Sequence, residues 1–270
     1  MVEPAEKGRL VGYGRTADIF TWGDDQVLKL FHENWSVAAV EEEARIGRLV
    51  RDMGLPVPDV SGTVQDGGRF GVIYERVDGP TMLQRFQRAP WTLHQLMGVF
   101  ADLQASLHEH RGSDLPSRRE SMLGSIENAQ SVPAMMKESA LQVLERLPDD
   151  DFLCHGNFHP DQIIMSKKGP IIIDWITATK GSPAADVARS SLILRLGAPP
   201  AGRASEWLIK LARSYAHFRY LNRYLRNSSI SRQAINDWEI PVAVDRLGTD
   251  IPEEREQLLR LIDALVGHRS

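Results

Sequence analysis

The chain has 270 residues, of which 42% are hydrophobic and 25% are charged, an ordinary globular composition that predicts one large domain or two closely packed lobes. The formal net charge of -4 gives no general attraction to nucleic acid or to an anionic membrane surface, so neither is expected as a partner. The single cysteine, Cys154, excludes an internal disulfide and is expected to be buried, and the lack of a secretory signal or of a long apolar run predicts a cytoplasmic protein.

The N-terminal part of the chain predicts a small antiparallel sheet with one helix. Alternating apolar and polar residues between turn residues predict strands at 8–11, 18–22, 27–31, 60–64 and 70–76. Ser36 is a candidate N-cap, and apolar residues at helical spacing follow it until Gly54, where Leu-Pro-Val-Pro ends any helix.

A boundary is predicted near residue 78, because Asp-Gly-Pro at 78–80 stops regular structure. Helical periodicity then extends to about Glu145, a strand-rich stretch covers 152–176, and the remainder is helical. We therefore expect an N-terminal lobe at 1–78 and a larger, mainly helical lobe at 79–270, an α+β arrangement.

The most specific motif begins at His155 and has the sequence His-Gly-Asn-Phe-His-Pro-Asp-Gln. A short apolar stretch follows and ends in Ile-Asp-Trp, with the carboxylate at Asp174. A polar loop between two apolar strands, with a carboxylate after the second, predicts oxygen ligands converging at one edge. Hard divalent cations that bind phosphates prefer such ligands.

These segments resemble the aminoglycoside phosphotransferase family, which carries His-Gly-Asp-x-His-Pro-x-Asn and then an apolar strand ending in Ile-Asp-Trp. The resemblance covers most of residues 8–190. It implies a two-lobed protein kinase-like fold with a nucleotide-binding sheet lobe and a helical lobe for catalysis and substrate binding. It also implies phosphate transfer from ATP, or another nucleoside triphosphate, with Mg²⁺, to a hydroxyl group of a small-molecule acceptor.

The resemblance assigns roles to individual residues. Asp174 and Gln162 would hold Mg²⁺, and Lys29 would pair with the α- and β-phosphates, oriented by Glu43. Without the resemblance, a strand lysine such as Lys29 is more often a solvated edge residue. Glu43 is chosen over its neighbours at 41 and 42 by its spacing to the residues that end the helix.

Further nucleotide contacts are expected from glycines and from the segment that leaves the sheet. Gly12 and Gly14 would let backbone N–H groups approach the phosphates, although two such glycines also occur in ordinary bends. Backbone groups around Glu75 and Val77 would contact adenine, the alternative being a simple strand end.

The polar loop itself is expected to carry the catalytic residues. Asn157 occupies the position of the family's catalytic aspartate, and His155 is expected to brace the loop rather than bind metal. Asp186, at the start of the next predicted helix, is expected to tie the loop down.

Two positions depart from the family pattern. Asn157 cannot accept a proton at neutral pH, and Gln162 places its amide one methylene further out than the family's asparagine. Three hypotheses follow: a small-molecule kinase with weakened activity, a nucleotide-binding pseudokinase that acts as a sensor or interaction module, and another phosphoryl-handling activity on the same fold.

Residues 205–226 predict a long helix with aromatic and apolar residues at helical spacing and Arg219, Arg223 and Arg226 on another face. The favoured interpretation is a core helix with a solvated basic face. The alternative is a wall of the acceptor site, which would suit a neutral or anionic acceptor better than a polycationic aminoglycoside.

Overall fold

The computed structural model describes residues 6–197 and 206–267. Its contacts divide the chain into two compact units. Unit 1 comprises Met1–Arg85 with Asp161–Ile176, and unit 2 comprises Phe86–Pro160 with Thr177–Ser270. Ser205, the first residue of the long helix predicted at 205–226, lies outside the described residues.

Unit 1 is built on a five-stranded antiparallel sheet with the strand order β1-β2-β3-β5-β4. The strands are β1 Lys7–Tyr13, β2 Ala17–Trp22, β3 Gln26–Phe31, β4 Val60–Asp66 and β5 Arg69–Glu75. All five predicted strands are therefore confirmed, with ends that differ by a few residues.

The predicted helix of unit 1 is α1, Val37–Asp52. It begins where predicted, because the Ser36 hydroxyl accepts a hydrogen bond from the Ala39 N–H at 3.2 Å. The helix ends two residues before Gly54, whose φ of 82° lies in the left-handed region that glycine adopts without strain. Gly47 brings α1 close to the sheet, since a Cβ at this position would lie 2.7 Å from Val60 Cγ2.

A β-hairpin also belongs to unit 1, although it follows about eighty residues later in the chain. Its strands are β7 Ile163–Ser166 and β8 Gly169–Ile172. Backbone N–H groups attach both strands to the N-terminal segment, from Ile172 to the Pro56 carbonyl at 2.7 Å and from Met165 to the Pro80 carbonyl at 2.8 Å.

Unit 2 is mainly helical. Its described helices are α3 Leu93–Leu107, α4 Arg118–Asn128, α5 Ala134–Arg146, α6 Pro183–Leu196, α7 Glu206–Arg226, α8 Arg232–Asp237, α9 Glu239–Gly248 and α10 Pro252–Gly267, while α2 Met82–Arg88 crosses the boundary between the units. Strands β6 Phe152–Cys154 and β9 Thr179–Gly181 pair antiparallel. Cys154 is buried as expected, and burial raises the pKa of its thiol well above the usual value.

The prediction that α7 is a core helix is only half correct. Its C-terminal half is buried through Tyr220, Leu221 and Tyr224. From its N-terminus as far as Phe218 it exposes most of the aromatic and apolar side chains that the periodicity placed in the core, and Trp207 and Phe218 are each 64% exposed. Helical periodicity identifies residues that share one face of a helix. It does not show how much of that face is covered by other parts of the protein.

In the described ranges, 6–197 and 206–267, the helices lack the combination of length and apolar character that a membrane span requires.

Candidate functional site

The open end of the β7–β8 hairpin positions two of the predicted site residues. Gln162 directly precedes β7, and Asp174 lies two residues after β8. The Ile173 N–H donates to the Gln162 carbonyl at 3.0 Å, which continues the hairpin pairing by one step. The Gln162 amide Nε2 consequently lies 2.8 Å from Asp174 Oδ2.

The backbone of Asp174 has φ 66°, in the left-handed region that few residues other than glycine adopt. Aspartate tolerates this region better than most residues, although the conformation still carries a cost. Such backbone outliers concentrate at functional sites, where the surrounding structure holds them. The geometry therefore marks this position independently of the motif.

Lys29 on β3 connects this hairpin end to α1. Its Nζ lies 2.6 Å from Asp174 Oδ1 and 2.8 Å from Glu43 Oε1. Lys29 is 9% exposed and Glu43 is fully buried. The structure thus brings together four residues that the sequence resemblance selected: Lys29, Glu43, Gln162 and Asp174.

The two carboxylates decide the charge state of Lys29. Burial alone lowers the pKa of this ammonium, but the attraction of Asp174 and Glu43 outweighs it and raises the pKa above the usual lysine value. Lys29 therefore carries a positive charge at neutral pH. A cation fixed in this way is suited to bind phosphate oxygens.

Sequence reasoning missed Tyr74 as a part of this cluster. Its hydroxyl donates to Glu43 Oε1 at 2.7 Å, from β5 across to α1. Burial, followed by the negative charge of Glu43, raises the pKa of Tyr74 well above 10, so the phenol stays a neutral donor. The other oxygen, Glu43 Oε2, is buried and has no hydrogen-bond partner among the described residues.

The predicted nucleotide-binding groups are spread along the sheet of unit 1. Gly12 lies in β1 opposite Ile19, and Gly14 lies in the β1–β2 turn, where its N–H donates to the Ala17 carbonyl at 2.9 Å. Glu75 ends β5, and Val77 lies just beyond it.

Strand register gives the distance that these groups cover. Gln26 of β3 pairs with Glu75, and Phe31 of β3 pairs with Ala17 beside the β1–β2 turn. Five residue steps of an antiparallel strand cover about 17 Å. Lys29 lies between the two ends, so the groups predicted to contact adenine and the phosphates follow one another along the sheet.

The polar loop that carries Asn157 and His155 lies in unit 2 and is held by a buried carboxylate. Asp186, in the first turn of α6, accepts a hydrogen bond from the Gly156 N–H at 2.7 Å. It also accepts from the Gln104 amide at 2.8 Å. This carboxylate anchors the loop, as the sequence analysis expected.

The charge of Asp186 is stabilised in spite of its burial. Burial alone would raise the pKa of this carboxyl group, but its hydrogen bonds with His108 and Gln104 hold the pKa well below the usual range. His108 Nε2 lies 3.3 Å from Asp186 Oδ2. The carboxylate is therefore ionised at neutral pH.

The loop also has a strict backbone requirement at its turn. Gly156 has φ 79°, and a Cβ there would lie 2.2 Å from the Thr177 carbonyl oxygen. His155 is fully buried, its ring packs edge-on against Phe158, and its carbonyl accepts from the Thr177 hydroxyl at 2.9 Å. Asn157 is half-buried and directly follows this fixed turn.

In the part of the chain that the structure describes, no three His, Cys, Asp or Glu side chains form a group that could hold a metal ion. Asp174 and Gln162 offer instead one carboxylate and one amide. Two hard oxygen donors from the protein are a common arrangement for Mg²⁺, which usually obtains its other ligands from water and phosphates.

Comparison with known proteins gives three kinds of likeness. A family model described as the phosphotransferase enzyme family matches residues 11–224. A curated relative from Mus musculus, acyl-CoA dehydrogenase family member 10, is 29% identical over 182 residues, which are 58% of this chain and 17% of that protein. The chain therefore spans about a sixth of the length of that relative.

Two solved structures resemble most of the chain. An aminoglycoside-3'-phosphotransferase of type VIII has a TM-score of 0.64 at 15% identity, over 88% of this chain and 93% of that one. An amicoumacin kinase in complex with AMP-PNP and Ca²⁺ also has a TM-score of 0.64, at 14% identity, over 98% of this chain and 88% of that one. These likenesses concern the fold, and the predicted kinase-like fold is confirmed.

Proposed function

Because this chain belongs to the phosphotransferase enzyme family, as its motifs indicated, we propose that it transfers a phosphoryl group from ATP or another nucleoside triphosphate to a hydroxyl group of a small molecule. The observation that carries the proposal is the Lys29 ammonium held between Glu43 and Asp174 at 2.8 and 2.6 Å. Kinase-like enzymes use this combination to hold the α- and β-phosphates and the metal ion.

The nucleotide would lie along the sheet of unit 1. Its adenine would contact backbone groups near Glu75 and Val77, and its α- and β-phosphates would contact Lys29. The glycines at 12 and 14 leave room for the phosphates near the β1–β2 turn. The strand register supports this proposal, because Glu75, Lys29 and the β1–β2 turn follow one another along β3, the order in which an extended nucleotide presents its parts.

Asp174 and Gln162 would hold Mg²⁺. The fit rests on the donor chemistry of the two side chains, a carboxylate and an amide at the end of one hairpin, and it requires the amide to turn its carbonyl oxygen to the ion, because its NH₂ group faces Asp174 in this structure. The ion would neutralise charge on the phosphate oxygens during transfer. Lys29 would add a second, permanent positive charge beside it.

Asn157 would orient the acceptor hydroxyl without removing its proton, which would pass to an oxygen of the transferred phosphate or to water as the new P–O bond forms and the bond to the departing nucleoside diphosphate breaks. An amide can accept a hydrogen bond from the hydroxyl, and phosphoryl transfer depends mainly on positioning and charge neutralisation. A general base typically contributes about 10²–10⁴-fold in rate, so its loss slows the reaction while leaving binding intact. We propose a slow transferase on these grounds.

The second candidate function is a nucleotide-binding pseudokinase that acts as a sensor or interaction module. Its support is the departure from the family pattern at both Asn157 and Gln162, alongside an intact Lys29 cluster. Both candidates bind nucleotide, and they differ only in turnover.

One experiment separates them. Thermal shift with Mg-ATP reports binding, and ATP consumption across a panel of hydroxyl compounds reports turnover. Stabilisation together with acceptor-dependent consumption supports the transferase, while stabilisation without consumption supports the pseudokinase. No stabilisation at millimolar Mg-ATP would contradict both.

A further inference from the structure

Both oxygens of the Asp174 carboxylate are engaged by nitrogen donors. Oδ1 accepts from the Lys29 ammonium at 2.6 Å, and Oδ2 accepts from the Gln162 side chain at 2.8 Å. A carboxylate oxygen can only accept, so the amide group that faces it must be the NH₂ of Gln162. The carbonyl oxygen of the same amide consequently points away from Asp174.

In this arrangement Gln162 cannot act as a metal ligand beside Asp174, because its only possible ligand atom is turned away. A half-turn of the amide about the Cγ–Cδ bond would exchange the two groups. This torsion is broad and roughly two-fold in glutamine, so both orientations are accessible without strain. The backbone need not move, since the Ile173 N–H to Gln162 carbonyl bond holds the hairpin end at 3.0 Å.

We infer that Gln162 is a two-position residue that couples metal binding to nucleotide binding. In one position its NH₂ group holds Asp174 and closes the site to a cation. In the other position its carbonyl oxygen joins Asp174 as a metal ligand. The nucleotide half of this inference rests on the proposed function.

The charges explain why the cation and the nucleotide should arrive together. A divalent cation alone would have to approach the Lys29 ammonium and displace two donors from Asp174, and like charges repel at this distance. Phosphates of a nucleotide would attract both the ammonium and the cation and remove this repulsion. By linkage, the factor by which nucleotide raises metal affinity equals the factor by which metal raises nucleotide affinity.

Gln162 carries one methylene more than the family's asparagine. Its amide reaches the second oxygen of Asp174 from the opposite strand end, at 2.8 Å. The residue thus contributes to the closed state as well as to the metal-bound state. A residue with both roles increases the coupling between the two ligands.

The test compares wild-type protein with Gln162→Met, which keeps the length of the side chain and removes the amide. Free Mn²⁺ is counted by its electron paramagnetic resonance signal, with and without AMP-PNP. We expect the variant to bind Mn²⁺ alone at least about threefold tighter and Mn²⁺ with AMP-PNP about tenfold weaker, the scale of change when a metal site loses a supporting group. Melting temperatures without ligand verify folding.

Two further variants serve as controls. Asp161→Asn changes the neighbouring residue, whose carboxylate accepts from the Thr81 hydroxyl at 2.6 Å, and it should leave both affinities within about twofold. Gln162→Asn shortens the amide, so it should open the metal-free state as Gln162→Met does while retaining most of the affinity measured with AMP-PNP.

Opposite shifts in the two affinities of Gln162→Met support the inference. Shifts in the same direction, or no shift, would overturn it and identify Gln162 as an ordinary ligand or a structural contact. If wild-type protein does not bind AMP-PNP at all, the proposed function fails instead. The comparison of wild type with Gln162→Met in Mn²⁺ alone still tests whether Gln162 closes the site to a cation. Equal Mn²⁺ affinities in the absence of nucleotide would overturn that part of the inference.

Discussion

Two regions of the molecule differ in how far they keep the pattern of their family. The Lys29 cluster of unit 1 keeps its charged residues, and Lys29, Glu43 and Asp174 are joined by direct contacts. The loop of unit 2 keeps its supports, Gly156 and Asp186, but carries an amide at Asn157 in place of the catalytic carboxylate.

This difference separates binding from chemistry. Under the proposed function, the Lys29 cluster would serve the ground state, in which a nucleotide is bound, while a base contributes mainly in the transition state. In the proposed function the loop carries no base at Asn157, yet it keeps the buried, ionised Asp186 that holds the Gly156 N–H.

The largest expected effect concerns this loop support. Asp186→Ala leaves the Gly156 N–H, the Gln104 amide and His108 without their buried acceptor, and breaking such a buried network typically costs about 3–5 kcal/mol. Urea unfolding of both proteins measures the loss. A loss below about 1 kcal/mol would show that the carboxylate does not hold the loop.

The same residue gives a pH dependence of known sign. The folded-state pKa of Asp186 is depressed, so its contribution to stability is complete above the unfolded-state pKa of about 3.9 and is lost as the pH falls below that value. We expect the unfolding free energy of wild type to decrease below pH 4 more steeply than that of Asp186→Asn. Parallel curves would contradict this assignment.

In unit 1, Lys29→Met tests whether the cluster binds phosphate. The substitution removes a charge-assisted contact and should weaken Mg-ATP binding by about 1–3 kcal/mol, measured by calorimetry. Lys7→Met is the matched control, because Lys7 lies in the same sheet but pairs at the surface with Asp66. Equal Mg-ATP affinities for the two variants would show that Lys29 does not contact the nucleotide.

A smaller effect is expected from Tyr74→Phe. This change removes the hydroxyl that donates to Glu43 at 2.7 Å and leaves the carboxylate with one partner fewer. The expected stability loss is about 1–2 kcal/mol, with Mg-ATP affinity reduced less than in Lys29→Met. If Tyr74→Phe reduced the affinity as much as Lys29→Met, then the two residues would contribute equally to nucleotide binding and Tyr74 would not act only as a support of Glu43.

Local patterns were sufficient to predict much of this molecule. Strand alternation, the Ser36 cap and the turn glycines act between near neighbours, so the sheet of unit 1 and α1 could be found from the sequence. The pairing of Lys29 with Glu43 was also predicted, but only through the family resemblance, because it joins a strand to a helix.

The contacts that depend on three-dimensional register could not be predicted. The Tyr74 bond to Glu43 requires the packing of α1 on β5, and the amide orientation of Gln162 requires the hairpin pairing. The grouping of 161–176 with the N-terminal residues depends on bonds to Pro56 and Pro80 carbonyls, about one hundred residues away. Hydrophobic periodicity in the sequence does not predict contacts between residues so far apart.

If the nucleotide site is intact and only the base is missing, then restoring the family's residues should raise the rate of the reaction. The measurement is the rate of phosphate transfer, or of basal ATP hydrolysis, for Asn157→Asp alone and combined with Gln162→Asn. We expect the double variant to be faster than wild type by at least about tenfold, with nucleotide affinity within a few-fold. An unchanged or lower rate, with wild type already turning over briskly, would contradict it and show that the protein has rebuilt its chemistry around Asn157.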